Sequence, residues 1–146
     1  MTSREMTAVH EAAHAVMVHH YKSYVYDINL NPDPEPGQPA PLGRTRFFEM
    51  PGRRSFIAVH IAGLIAEHLF LQADTEASWR RAGGDLRKLK QGGISADEWM
   101  SVIPRVDQIL RKREMQVARI AVALMSSEYL DGCQIVELLS RRGGAA

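Results

Sequence analysis

Apolar residues along the chain recur mainly at the three-to-four-residue spacing of an α-helix. The expected helices cover residues 2–18, 55–72, 85–91, 104–124 and 131–139. Thr2 and Glu5 have the spacing of a capping box at the start of the first helix, and Asp131 and Gln134 have the same spacing before the last one. Pro104 is expected in a first turn, where a missing N–H is tolerated. These patterns predict a mainly α fold.

Two shorter segments have the alternating pattern of half-buried strands. The first covers residues 24–30, where Tyr24, Tyr26 and Ile28 share one face, and the second covers residues 43–50. The intervening residues 31–42 contain five prolines, which indicates an exposed loop. We therefore expect the two strands to pair as a small antiparallel β-ribbon beside the helices.

Length and composition place the chain among single-domain globular proteins. It has 146 residues, of which 45% are hydrophobic and 24% charged, with a formal net charge of +1. One domain over residues 1–140 and a flexible C-terminal tail over 141–146 are expected. The near-zero net charge argues against nucleic acid as a partner. We also expect no membrane span and no signal peptide, and hence a cytoplasmic protein. The single Cys133 excludes an intramolecular disulfide and a thiolate zinc cage.

The chain's strongest chemical signal is the string His-Glu-Ala-Ala-His at residues 10–14. Residues four apart on a helix lie on the same face, so His10 and His14 can bind one zinc ion. Glu11 then lies next to them as a candidate general base. The surrounding helix is apolar on more than one side. Buried imidazoles and a buried carboxylate are costly unless they are paired, and a metal ion would pair them.

A zinc site that keeps an open position needs a third protein ligand. The candidates further along the chain are Glu67, on the second strong helix, and Asp85, directly after a pair of glycines. Spacing alone does not choose between them.

Several other segments bear on this choice. Along the chain they read Val-His-Glu-Ala-Ala-His-Ala at 9–15, Leu-Gly-Arg-Thr at 42–45, Ile-Ala-Gly-Leu-Ile-Ala-Glu at 61–67, Gly-Asp-Leu at 84–86 and Leu-Asp-Gly at 130–132. In this order they resemble the peptidase domain of the FtsH-type ATP-dependent zinc metalloproteases. The resemblance implies a compact helical zinc-peptidase domain that holds Zn²⁺.

By this resemblance His10, His14 and Asp85 bind the zinc ion and Glu11 activates the water. Glu67 is then expected to orient a ligand histidine, and the alternative is a charge on the helix surface. The sequence contains no Gly-x-x-x-x-Gly-Lys-Ser/Thr loop, so we expect the domain to stand alone, without ATP hydrolysis of its own. A homo-oligomer or a separate ATPase partner stays open.

These features predict a zinc-dependent endopeptidase whose partner is a protein or peptide substrate with unfolded or flexible segments. Residues Gly43, Arg44, Thr45 and Arg46 are the candidate strand for pairing with the substrate backbone, and the alternative is that this ribbon only covers the core. Two other functions stay open: a catalytically silent peptide-binding or regulatory module, and a zinc hydrolase that acts on another amide. Glu11 favours an enzyme, because metal binding alone does not require it.

Overall fold

The computed structural model describes residues 2–72 and 74–141, which form seven helices and three short strands. The prediction of a mainly α fold is confirmed, since 66% of the described structure is helical. The elements in chain order are α1 (Ser3–His20), β1 (Val25–Asn29), β2 (Arg44–Phe47), α2 (Arg53–Leu71), α3 (Thr75–Arg81), α4 (Gly83–Gln91), α5 (Ala96–Lys112), α6 (Glu114–Ser127), β3 (Tyr129–Asp131) and α7 (Gly132–Ser140).

Helix α1 begins at the predicted capping box. The Thr2 hydroxyl accepts a hydrogen bond from the backbone N–H of Glu5 at 3.1 Å, and the Glu5 carboxylate accepts one from the backbone N–H of Thr2 at 2.8 Å. From Thr7 to Val18 nearly every side chain is buried, because α1 packs against α2 on one side and α6 on the other. A helix buried on several sides holds its polar residues in the interior of the protein.

Helix α2 packs against α1 and α5. It is 19 residues long, and an 18-residue window within it has a mean hydropathy of 1.4, so by length and composition α2 could cross a membrane, although no span is expected from the sequence. However, 61% of this stretch is buried inside the fold, and it carries the buried polar residues His60 and Glu67. Burial of this extent is typical of a helix in the core of a folded protein.

The sheet has three antiparallel strands in the order β2-β1-β3, not the two strands predicted. Ile28 of β1 lies opposite Thr45 of β2 on one side and Leu130 of β3 on the other. Strand β3 has only three residues, which is too short for an alternating pattern to reveal. The order leaves β2 at one edge of the sheet.

The alternation of faces predicted for β1 is interrupted in the strand. Tyr24 and Tyr26 are exposed, whereas Val25, Asp27 and Ile28 are buried. The register between β1 and β2 shifts between Val25 and Asp27. A bulge of this kind places an extra residue in one strand and interrupts the alternation of faces. A buried aspartate in β1 therefore needs a charged partner.

Asp27 has that partner in Arg46, whose Nε donates to Asp27 Oδ1 at 2.9 Å, and the Tyr129 hydroxyl donates to Oδ2 at 3.1 Å. The hydrogen bonds from Arg46 hold the pKa of Asp27 below its usual value, although burial opposes this. We expect Asp27→Asn to lower the free energy of unfolding by about 1 kcal/mol at pH 7, since half-exposed Arg46 is partly screened by solvent.

A carboxyl group with a depressed folded pKa stabilises the fold above its unfolded pKa of about 4, and this contribution is lost as the pH falls through the folded value. Urea unfolding should therefore show a difference between wild type and Asp27→Asn that is largest at pH 7 and shrinks below pH ~4. A difference that is equal at neutral and acidic pH would contradict this role for Asp27.

The predicted start of a helix at Pro104 is also wrong, and the single helix expected over residues 104–124 is two helices. Helix α5 begins at Ala96, and the Ser95 hydroxyl accepts from the backbone N–H of Glu98 at 3.2 Å. Pro104 lies inside α5, and a second helix, α6, follows at Glu114. The Ser-x-x-Glu spacing at Ser95 and Glu98 is a start signal that outweighs the proline.

The segment between α2 and α5 is more helical than predicted. Helix α3 was not predicted; Asp74 caps it by accepting from the backbone N–H of Glu76 at 3.0 Å. Helix α4 begins at Gly83, two residues earlier than expected, so Asp85 lies in its first turn. The tail predicted at 141–146 lies outside the described residues beyond Arg141.

Candidate metal centre

Helices α1, α2 and α4 meet around the His-Glu-Ala-Ala-His string. Helix α1 supplies His10, Glu11 and His14, and all three side chains are buried. Helix α2 lies behind the histidines and supplies Glu67. The first turn of α4 brings Asp85 in front of them. Residues 75 positions apart are thereby placed in direct contact.

The two imidazoles converge on one carboxylate oxygen. The Nε2 atom of His10 lies 3.0 Å from Oδ2 of Asp85, and the Nε2 atom of His14 lies 3.2 Å from the same oxygen. One ligand atom from each of these residues can be chosen so that all three lie within 4.8 Å of one another. The structure therefore brings together the three residues that the resemblance implies as zinc ligands.

The opposite nitrogen of each ring is held by an acceptor. His14 Nδ1 lies 2.6 Å from the backbone carbonyl oxygen of Val59, and His10 Nδ1 lies 2.7 Å from Oε2 of Glu67. A carbonyl oxygen can only accept a hydrogen bond, so His14 Nδ1 must be the protonated donor. A carboxylate imposes the same tautomer on His10. In the neutral form of each ring, the lone pair is therefore on Nε2 and faces Asp85.

This donor set fits a zinc ion. Two nitrogen lone pairs and a carboxylate oxygen repel one another unless a proton or a metal cation lies between them. Zinc bonds of about 2.0–2.1 Å in a tetrahedral arrangement separate ligand atoms by roughly 3.3 Å. The Nε2–Oδ2 distances of 3.0 and 3.2 Å are close to that value. Imidazoles that donate from their outer nitrogen are also the usual form of metal-bound histidine.

Without a metal, the cluster binds protons strongly. Burial alone would lower the pKa of His10, but its hydrogen bonds to Asp85 and Glu67 outweigh burial and raise the pKa to about 10. The pKa of His14 is also raised, against burial, by the Asp85 charge. Burial would raise the pKa of Asp85, yet His14 and His10 hold it far below its usual value. A metal ion that enters this cluster replaces protons on the imidazoles.

Glu67 is fully buried, so the alternative of a helix-surface charge is wrong. Its Oε2 atom contacts His10, and its Oε1 atom forms an ion pair with Nε of Arg81. The Ser78 hydroxyl lies farther away, at 3.5 Å from Oε1. Glu67 thus contacts the outer nitrogen of His10, where it can orient the ring, and Arg81 compensates its charge.

Glu11 is held next to the histidines by β2. The Thr45 hydroxyl donates to Oε1 of Glu11 at 3.0 Å. Gly43 passes so close that a Cβ atom there would lie 2.7 Å from Cγ2 of Thr7 and 3.1 Å from Cγ of Glu11. A larger residue at this position would displace the carboxylate. Glu11 therefore has a fixed place in the same cleft as the three candidate ligands.

This cleft has a volume of about 480 Å³ and opens between α1, α4, β2 and the loop before β2. Of the four predicted substrate-binding residues, Gly43, Arg44 and Thr45 line it. Arg46 does not, because its side chain is bound to Asp27 of β1.

Sequence reasoning missed Val59, Gly63 and Arg81. Val59 acts through its backbone carbonyl, which no residue type reveals. Arg81 lies at the end of the unpredicted helix α3. Gly63 could have been found, because a glycine inside a strong helix lowers helix stability and usually has a packing reason. Here a Cβ atom would lie 2.4 Å from Nε2 of His10.

No family model matches the chain in a comparison with known protein families, and a search of curated proteins finds no match either.

Proposed function

We propose that the protein is a zinc-dependent endopeptidase with an FtsH-like peptidase fold, which hydrolyses peptide bonds in unfolded or flexible protein segments without hydrolysing ATP itself. The observation that carries this proposal is the convergence of both Nε2 atoms on Asp85 while both Nδ1 atoms are held by acceptors. Glu11 lies in the same cleft, and a metal-binding site alone does not require that carboxylate.

In this proposal His10, His14 and Asp85 hold the zinc ion. When bound there, zinc would supply a Lewis acid for a peptide carbonyl and would lower the pKa of a water molecule. Glu67 and the Val59 carbonyl keep the imidazoles in the tautomer that offers Nε2 to the metal. Both groups thus orient the imidazole rings and do not bind the metal themselves.

Glu11 is proposed to transfer the proton of the attacking water. Its carboxylate takes a proton from the attacking water and returns it to the amine that leaves, as a general base and then a general acid. The hydrogen bond from Thr45 fixes Oε1, which leaves Oε2 of Glu11 for this role.

The substrate is proposed to lie along β2. This strand is at the edge of the sheet, and residues 43–45 line the cleft. An extended peptide can add to such an edge through backbone hydrogen bonds, largely independent of its sequence. Only an unfolded or flexible segment can become extended in this way, which is why we propose such segments as substrates.

The proposal predicts metal-dependent cleavage that requires Glu11. Casein hydrolysis should stop on chelation and return when zinc is added. Glu11→Gln should reduce the rate by about 10²–10⁴-fold, the usual contribution of a general acid–base group, while zinc content stays unchanged because Glu11 is not a ligand. The matched control is Glu114→Gln, an exposed glutamate on α6, which should cleave like wild type.

The rates and the zinc content are measured on the same preparations. Zinc-loaded wild type that cleaves neither casein nor any unstructured peptide would contradict the proposal and favour a silent binding module.

A further inference from the structure

The cleft around the candidate metal centre has an excess of positive charge. Its lining contains five basic residues and two carboxylates. The carboxylates are Glu11 and Asp85, which already interact with Thr45 and with the two histidines. The basic residues are Arg44, Arg80, Arg81, Arg87 and Lys88.

Three of these five cations lack a carboxylate partner. Arg80 forms an ion pair with Glu76, and Arg81 forms one with Glu67. Within residues 2–72 and 74–141, Arg44, Arg87 and Lys88 form no ion pair. The cleft therefore retains positive charge that the described part of the chain does not neutralise.

Two guanidinium nitrogens in this lining are buried without an acceptor. They are Nε of Arg44 and Nη2 of Arg81, the only such side-chain atoms in the described residues. A buried donor without an acceptor costs free energy, and the cost is larger for a charged group. Both atoms belong to residues that line one cleft, so both guanidinium groups keep unused hydrogen-bonding capacity next to it.

We propose that this cleft binds a carboxylate group of the peptide substrate, with Arg44 as its main anchor, so that the enzyme favours peptides that place a carboxylate there. The inference rests on the proposed function, because the carboxylate belongs to the peptide that is cleaved. Arg44 directly precedes Thr45 on the edge strand β2, so a peptide paired with β2 passes next to it. A guanidinium binds a carboxylate through two parallel N–H donors.

Helix α4 supplies the supporting charge. Arg87 and Lys88 follow Asp85 on this helix and line the same cleft. Neither is tied to a carboxylate in the described structure, so both can attract an acidic segment over a longer range. This attraction should weaken with added salt, because exposed charges are screened.

The substrate carboxylate can come from an aspartate or glutamate side chain or from the C-terminus of the peptide. Matched labelled peptides distinguish the two sources: one unstructured sequence with a central Glu or Gln, each ending in a free carboxylate or an amide. Affinities are measured by fluorescence anisotropy on the full chain carrying Glu11→Gln, with zinc and after chelation.

We expect the peptide that carries one of these two carboxylates to bind about tenfold more tightly than the matched peptide in which that group is neutral. This is the effect of one charge-assisted hydrogen-bond pair. A preference for Glu over Gln in amidated peptides assigns a side-chain carboxylate. A preference for the free acid over the amide assigns the C-terminus. Equal affinity for all four peptides overturns the proposal.

The matched variants are Arg44→Gln and Lys112→Gln. Both remove one positive charge, but Lys112 is exposed on α5 and does not line this cleft. Arg44→Gln should lose the carboxylate preference and Lys112→Gln should keep it, with folding of both checked by circular dichroism. A preference that survives in folded Arg44→Gln, or is lost equally in both variants, contradicts Arg44 as the anchor.

The failure of this inference can be told apart from the failure of the proposed function. Carboxylate-dependent binding in a protein that never cleaves a peptide supports the inference and contradicts the endopeptidase. Cleavage that is indifferent to acidic residues and to the C-terminal carboxylate supports the endopeptidase and overturns the inference.

Discussion

Replacing Gly63 with alanine is expected to abolish zinc binding and to lower the free energy of unfolding by about 2 kcal/mol, within the usual range for overpacking a core. A Cβ atom at this position would lie 2.4 Å from Nε2 of His10 and 2.5 Å from its Cδ2 and Cε1 atoms. The ring cannot easily turn away, because Glu67 holds Nδ1 at 2.7 Å. Either His10 leaves the cluster or α1 moves away from α2.

The measurements for Gly63→Ala are zinc content by mass spectrometry and stability by urea unfolding. Gly84→Ala is the matched control, since a Cβ atom there has nothing within 4 Å although Gly84 directly precedes Asp85. Alanine is favoured over glycine in a helix by up to about 1 kcal/mol, so this control should keep zinc and lose no stability. Zinc binding by Gly63→Ala as tight as wild type would show that His10 does not bind metal in this position.

Replacing Asp85 with alanine is expected to weaken zinc binding by more than about 100-fold. The aspartate is the group that both Nε2 atoms face, so its removal leaves only two protein ligands, whereas a zinc site of this kind uses three. Glu67→Gln should have a smaller effect, about 10–100-fold, as is typical for a residue that orients a metal ligand. The order of the two effects separates the two candidates for the third ligand.

Zinc affinities are measured by competition with a chromogenic chelator. Asp33→Ala, in the exposed loop before β2, is the control for loss of an aspartate and should bind zinc like wild type. Unchanged affinity in Asp85→Ala together with lost affinity in Glu67→Gln would identify Glu67 as the third ligand instead.

The local part of the fold could be predicted from the sequence. The capping boxes before α1 and α7 depend on residues three positions apart, and both are present. The shared face of His10 and His14 depends on residues four apart in one helix. Such features follow from helix geometry alone. They are independent of how the helices pack.

The pairing of the strands and the packing of the helices could not be predicted in the same way. The alternating pattern of β1 does not reveal a bulge, and β3 is too short to have a pattern. Sequence spacing could not decide whether Asp85 or Glu67 is the third metal ligand, because both are acidic residues on predicted helices. Their positions on opposite nitrogens of His10 follow from the packing of α4 and α2 around α1. The motif resemblance implied Asp85 as the ligand, whereas periodicity alone left both residues open.

The most direct test of the metal centre is anomalous X-ray diffraction at the zinc edge from crystals of the zinc-loaded protein. The proposed zinc centre should give one strong peak per chain. The peak should lie about 2.0–2.2 Å from Nε2 of His10, Nε2 of His14 and a carboxylate oxygen of Asp85. A zinc ion bound elsewhere, with these three side chains still in direct contact with one another, would contradict the assignment of this site.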